Sequence, residues 1–121
     1  MKKLYALRGA SQCKNNEEDI SRQTAIMYDE LLNANKLDEI QIVSVIFSVT
    51  SDLDAVNPCT ALRKSGRAGE LSLFSVQEPQ SKNSLERTVR VIVHCYLDEG
   101  SEAQHVYRNG AEVLRPDRIT K

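Results

Sequence analysis

Two stretches of this chain constrain its fold more tightly than any other feature. Ile42 to Thr50 (Ile-Val-Ser-Val-Ile-Phe-Ser-Val-Thr) is a β-branched run that suits a central strand buried on much of both faces. Arg87 to Leu97 places Val89, Val91, Val93 and Cys95 on one side and Arg90, Ile92, His94 and Tyr96 on the other. Both strands carry apolar side chains toward both faces of a sheet, and each face needs a cover. The chain supplies one long helix for the task. From Glu17 to about Ala34, Ile20, Thr24, Met27, Leu31 and Ala34 recur at helical spacing and form one buried stripe. Asn16 suits the N-cap, Glu17, Glu18 and Asp19 complement the helix dipole, and Asn35 suits the end. One helix covers one face. A chain of 121 residues builds one ordinary domain, here taken as 1–121. The second cover is therefore expected from another copy of the chain, in a homo-oligomer with a closed ring of interfaces.

The remaining elements are shorter. Lys3 to Arg8 reads as a first strand closed by Gly9, and Ser51 to Asp54 as the loop leaving the central strand. Asn57 and Pro58 give an N-cap and first helical position, predicting a short helix to about Ser65 that stops at Gly66. A strand from Leu71 to Gln77 should end at Glu78-Pro79, followed by a polar loop from Gln80 to Ser84. Asn109-Gly110 predicts a hairpin between Gln104 to Tyr107 and Ala111 to Leu114. The expected class is α/β (α+β-like): a mixed sheet of about five strands with one long and one short helix.

Charge and cysteine usage exclude several functions. Lys and Arg (16) nearly balance Asp and Glu (17), so a net charge of -1 offers no broad basic field for nucleic acid. No segment approaches the roughly 20 apolar residues that span a bilayer, and Arg8 breaks the apolar start after four residues. Neither a membrane nor a nucleic acid is expected as partner. Cys13, Cys59 and Cys95 are odd in number and fit no ligand spacing, which reads as structural thiols of a reducing cytosol. The chain is expected to be cytoplasmic.

Most catalytic constellations are missing. There is no Gly-rich phosphate loop, no G-x-S-x-G and no metal-ligand spacing, so neither a metal nor another cofactor is expected. Of the two histidines, His94 lies inside a strand as a packed, hydrogen-bonded residue, and His105 is read as structural. What remains is a set of arginines near element ends: Arg8, Arg63, Arg90 and Arg115. Singly, each reads more often as a surface or ion-pairing residue than as a ligand. Arg90 differs, because a charge in an apolar strand is costly to desolvate unless a partner meets it. Glu78, at the neighbouring strand end, is the candidate partner or co-catalyst; a structural ion pair and a functional one stand as equal readings.

Taken in order, several fragments resemble the monofunctional chorismate mutases of the trimeric, barrel-like class. They are Leu7-Arg8-Gly9-Ala10, Ser48 to Val56, Val76-Gln77-Glu78, Arg90-Val91, His105-Val106-Tyr107 and Val113 to Asp117. The resemblance covers nearly the whole chain. It implies a homotrimer whose sites lie between subunits and rearrange chorismate to prephenate, in aromatic amino-acid biosynthesis, without a cofactor. It also implies residue roles. Arg90 would contact a substrate carboxylate and the ether oxygen, Arg8 and Tyr107 the side-chain carboxylate, and Glu78 the ring hydroxyl. Arg63 and Arg115 would lie at the rim, with the short helix of one subunit closing a cleft whose floor comes from the next.

The sequence departs from the family pattern at the cleft. Asn57 stands where an aromatic residue is common, Thr60 where a lysine is common, and Ser75 where a cysteine is common. These three positions bear on substrate affinity. Two other readings of the arginine cluster remain: an imine deaminase on a similar trimer, and a non-catalytic binding module for a small dicarboxylate.

Overall fold

The computed structural model describes residues 1–114. Five strands form one sheet: β1 (Lys2–Gln12), β2 (Ile42–Val49), β3 (Leu73–Gln77), β4 (Thr88–Asp98) and β5 (Val106–Arg108). Two helices, α1 (Glu17–Ala34) and α2 (Pro58–Lys64), and 3-10 turns at Glu39–Gln41 and Ala111–Leu114 complete the elements. The strand order is β3-β2-β4-β1-β5. β4 pairs antiparallel with both β1 and β2, whereas the edge strands β3 and β5 run parallel to β2 and β1. The mixed sheet with one long and one short helix is the expected architecture.

Local chemistry starts α1 where the sequence indicated. Asn16 is extended, and its side-chain oxygen accepts the Asp19 N–H at 2.7 Å. Asp19 itself is buried. Burial alone would raise its pKa, but the Lys14 N–H at 2.7 Å, Gln23 and the Arg22 guanidinium at 2.6 Å hold it below the usual carboxylate value. The helix then lays Ile20, Thr24, Met27, Tyr28 and Leu31 on the sheet.

Two expectations are overturned. Gly9 does not close the first strand; β1 runs through it to Gln12, matched by β4 from Lys2↔Asp98 to Gln12↔Thr88. The glycine answers a packing need instead. A Cβ there would lie 3.1 Å from Val91 Cγ1, 3.2 Å from Leu31 Cδ1 and 3.3 Å from Met27 Cγ, so its absence lets α1 approach the sheet. Nor is there a hairpin at Asn109-Gly110. Both residues do take left-handed backbone (φ 53 and 98), but β5 pairs parallel with Gly9 to Ser11, and the chain beyond the turn coils into the 3-10 turn. There the fully buried Ala111 packs with Ala10 and Tyr107, which holds the segment off the sheet edge.

The sheet has two unlike faces. Leu7, Val45, Phe47, Val89 and Val93 point toward the helices and are fully buried. On the opposite face Leu4, Phe74, Val76 and Tyr96 stay 44–64% exposed, with Ile46 and Ile92 half-buried between them. Among the described residues, no helix lies over that second apolar face.

Candidate active site

The open face also carries charge. Strand alternation and the register Arg8↔Ile92, Ala10↔Arg90 and Ser48↔Arg90 bring Arg8, Ser48 and Arg90 to this face at the centre of the sheet. Tyr107 pairs with Ala10 from the edge strand β5 and joins the same face. Arg8, Ile46, Ser48, Arg90, Ile92 and Tyr107 line one cavity of about 180 Å³. Tyr107 is almost wholly buried, which leaves its position little freedom.

Glu78 enters from the end of β3. Its N–H continues the parallel ladder by donating to the Val49 carbonyl at 2.8 Å. That fixes the carboxylate beside Arg90, whose Nη1 lies 3.3 Å from Oε2, while the Ser48 hydroxyl donates to Oε1. Ser48 is a further candidate, brought to this cluster by the structure, that sequence reasoning missed. Its signal is a hydroxyl inside an apolar run, which the register sets opposite the charge of Arg90. A second cavity of about 220 Å³ reaches the Arg90–Glu78 pair from the loop side and extends to Leu114. A larger cavity, about 460 Å³, lies between Thr50 to Asp52 and the loop from Pro79 to Glu86 and shares only Glu78 with this pair.

The other candidates gather elsewhere. Ser75 pairs with the buried Phe47, so it points to the helix side of the sheet, toward α2. Asn57 caps α2: its Oδ1 accepts the Cys59 N–H at 2.9 Å and the Ser75 hydroxyl at 2.7 Å, and Cys59 Sγ lies 2.9 Å from Ser75 Oγ. Thr60 and Arg63 project from the same helix into solvent. Asn57, Thr60, Arg63 and Ser75 therefore sit across the sheet from Arg8, Arg90, Glu78 and Tyr107, and one chain does not bring the two groups together. Arg115 lies outside the described residues.

The cysteines are not poised as nucleophiles. Burial, with the nearby Asp19 charge, pushes the Cys13 thiol up to about 12, and burial also raises Cys59 and Cys95. His94 Nδ1 lies 3.0 Å from the Ser44 hydroxyl on the open face. His105 Nδ1 accepts the Arg8 N–H at 3.0 Å. No group of His, Cys, Asp and Glu among the described residues is arranged to hold a metal ion. No helix among them is long and apolar enough to cross a membrane.

This chain is 38% identical to the chorismate mutase of Clostridium thermocellum, whose structure superposes with a TM-score of 0.85 over 91% of this chain and 99% of that one. It is 32% identical to chorismate mutase AroH of Thermus thermophilus over 117 residues, covering 94% of this chain and 95% of the relative. Against chorismate mutase AroH of Bacillus subtilis it is 28% identical over 116 residues, 94% and 91% of the two chains. The sequence model of chorismate mutase type I matches residues 4–118. On that match, spanning nearly its whole length, the chain belongs to the type I chorismate mutase family.

Proposed function

We propose that this protein rearranges chorismate to prephenate in the cytoplasm, at sites formed between the subunits of a homotrimer. The observation that carries the reading is the Arg90–Glu78 pair, 3.3 Å apart on an apolar sheet face, with Arg8 and Tyr107 lining the same cleft as Arg90. Chorismate rearranges by a concerted shift within one molecule, so no nucleophile, redox group or metal takes part. The carbon–oxygen bond breaks ahead of carbon–carbon bond formation. Negative charge gathers on the ether oxygen while the ring turns relatively positive. A guanidinium at the oxygen and a carboxylate at the ring stabilise that charge separation more than they stabilise the substrate.

In this reading Arg90 faces the ether oxygen and a carboxylate, and Glu78 faces the ring hydroxyl. Arg8 and Tyr107 hold the side-chain carboxylate. Two carboxylates held at once select the compact diaxial conformer, which supplies part of the rate. Arginine suits the task because its planar fork meets a carboxylate with two hydrogen bonds.

Two features support the trimer. The open face leaves Leu4, Phe74, Val76 and Tyr96 exposed, an apolar surface that another copy of the chain would cover. The cavity around Arg90, about 180 Å³, is also smaller than the roughly 300–1,000 Å³ of most small-molecule sites. A neighbour's α2 and β3 edge would complete it, bringing Asn57, Thr60, Arg63 and Ser75 to the cleft. Membership of the type I family favours this chemistry over imine deamination.

The test is direct. Purified protein incubated with chorismate should remove its absorbance and yield prephenate, and light scattering should give three times the chain mass. Tight binding of a dicarboxylate without loss of chorismate would make the cleft a binding module. A monomer at micromolar concentration that still turned over chorismate would overturn the interfacial site.

A further inference from the structure

His105 is outside the residues assigned to the cleft, yet it bonds to one of them. The register of β1 and β5 pairs Gly9 with Val106, so Arg8 and His105 are the next positions beyond the end of that ladder. There the Arg8 N–H donates to Nδ1 of the imidazole at 3.0 Å. The ring thus extends the ladder by one bond, at the backbone of an arginine that faces the cleft. To accept at Nδ1 the imidazole is neutral and carries its proton on Nε2.

The bond joins Arg8 to a strand of only three residues whose middle member is Tyr107. Beyond Tyr107 the same strand is pinned to α1, because Gln23 Oε1 accepts from Arg108 Nη1 and from Asn109 Nδ2, each at 2.7 Å. Tyr107 is thereby held from both sides, by Gln23 after it and by the His105–Arg8 bond before it. We propose that His105 is a positioning residue that fixes the spacing between Arg8 and Tyr107, so that both meet one substrate carboxylate without reordering. The inference rests on the reading that these two residues hold that carboxylate. Preorganising two donors lowers the ordering cost of binding. The carboxylate they hold keeps its charge through the reaction, so the benefit falls on substrate and transition state alike and is read in KM.

Two substitutions separate the acceptor from the bulk of the ring. His105→Leu fills comparable space with no acceptor, whereas His105→Asn offers an amide oxygen near the place of Nδ1. With chorismate and the full-length protein, His105→Leu should raise KM about 3- to 10-fold, the effect of one lost hydrogen bond, with kcat changed by less than about 2-fold. His105→Asn should recover most of the KM. In an Arg8→Ala background His105→Leu should add less than about a 2-fold change, because its effect is transmitted through Arg8. Should His105→Leu fail to fold, His105→Gln, whose amide sits nearer the place of Nε2, makes the same comparison.

A measurement on the unmodified, nitrogen-15-labelled protein needs no turnover: a scalar coupling across the hydrogen bond should link the Arg8 amide nitrogen to His105 Nδ1. No coupling, equal KM for the Leu and Asn variants, or matching losses in kcat and kcat/KM would each overturn the proposal. If the coupling is present but Arg8→Ala leaves KM unchanged, the carboxylate reading of Arg8 fails and the role of His105 falls with it. If the coupling is present and Arg8→Ala raises KM, but the His105→Leu effect persists undiminished without Arg8, only the proposal fails.

Discussion

Replacing Arg90 by Ala should damage catalysis far more than stability. The backbone ladders from β4 to β1 and β2 run through this position and do not depend on the side chain. The Arg90 side chain is 40% exposed and its ion pair with Glu78 is 3.3 Å long; pairs this open to solvent hold about 0–1 kcal/mol. Glu78 keeps the Ser48 hydroxyl as a donor when the guanidinium is gone. The folding cost is thus about 1 kcal/mol at most. The kinetic cost is set by a different state, in which substrate has displaced water and charge has moved onto the ether oxygen. Losing one preorganised donor there costs about 2.7–4 kcal/mol, a fall in kcat of about 100- to 1,000-fold. Arg90→Lys keeps the charge but loses the planar fork and should restore only part of the rate. Chorismate loss measured across substrate concentrations gives kcat and KM separately, while circular dichroism and sizing report fold and assembly. A folded Arg90→Ala assembly with nearly normal kcat and only a raised KM would falsify the mechanism, since the arginine would then merely bind substrate.

Other parts of the molecule carry their own expected outcomes. Thr60→Lys on the exposed side of α2 should lower KM at low salt with little change in kcat, because a cation there attracts a dianion; an unchanged KM would count against a cleft position for residue 60. Gly9→Ala must force a methyl against Val91, Leu31 and Met27, so the urea midpoint should fall by the equivalent of about 1–3 kcal/mol with m unchanged. Asp19, held below its ordinary pKa in the folded state, contributes stability that is present above the unfolded carboxylate pKa and lost as pH falls through the lowered folded value. Asp19→Ala should therefore cost about 1–3 kcal/mol at neutral pH and flatten the loss on acidification; urea midpoints measured from neutral pH downward would show an undiminished slope if this is wrong.

Features that depend on local chemistry could be read from the sequence. α1 announced itself through a cap, an acidic first turn and a stripe. β2 did so through a β-branched run, β4 through apolar alternation, and Arg90 through being a charge within it. Features set by distant partners could not. Asn109-Gly110 does supply left-handed turn backbone, but the path of the chain beyond it depends on which edge of β1 the preceding strand joins. Gly9 looked like punctuation because local reading does not see Leu31 and Met27 of α1 above it. Ser48 gained its meaning only from the register that sets it opposite Arg90. Ser75 and Asn57 are 18 positions apart, and nothing in either neighbourhood signals their contact.

That contact couples positions 57 and 75, two of the three positions where the sequence departs from the pattern of the resemblance, while Thr60 stands apart from it. One oxygen of Asn57 both caps α2 and accepts the Ser75 hydroxyl. Restoring an aromatic residue at position 57 alone would remove the cap, at about 0.5–2 kcal/mol, and take an acceptor from Ser75 in the same step. The two positions are epistatic: the effect of changing either depends on which residue occupies the other. Single exchanges at these positions should therefore run uphill, and the paired exchange should be easier.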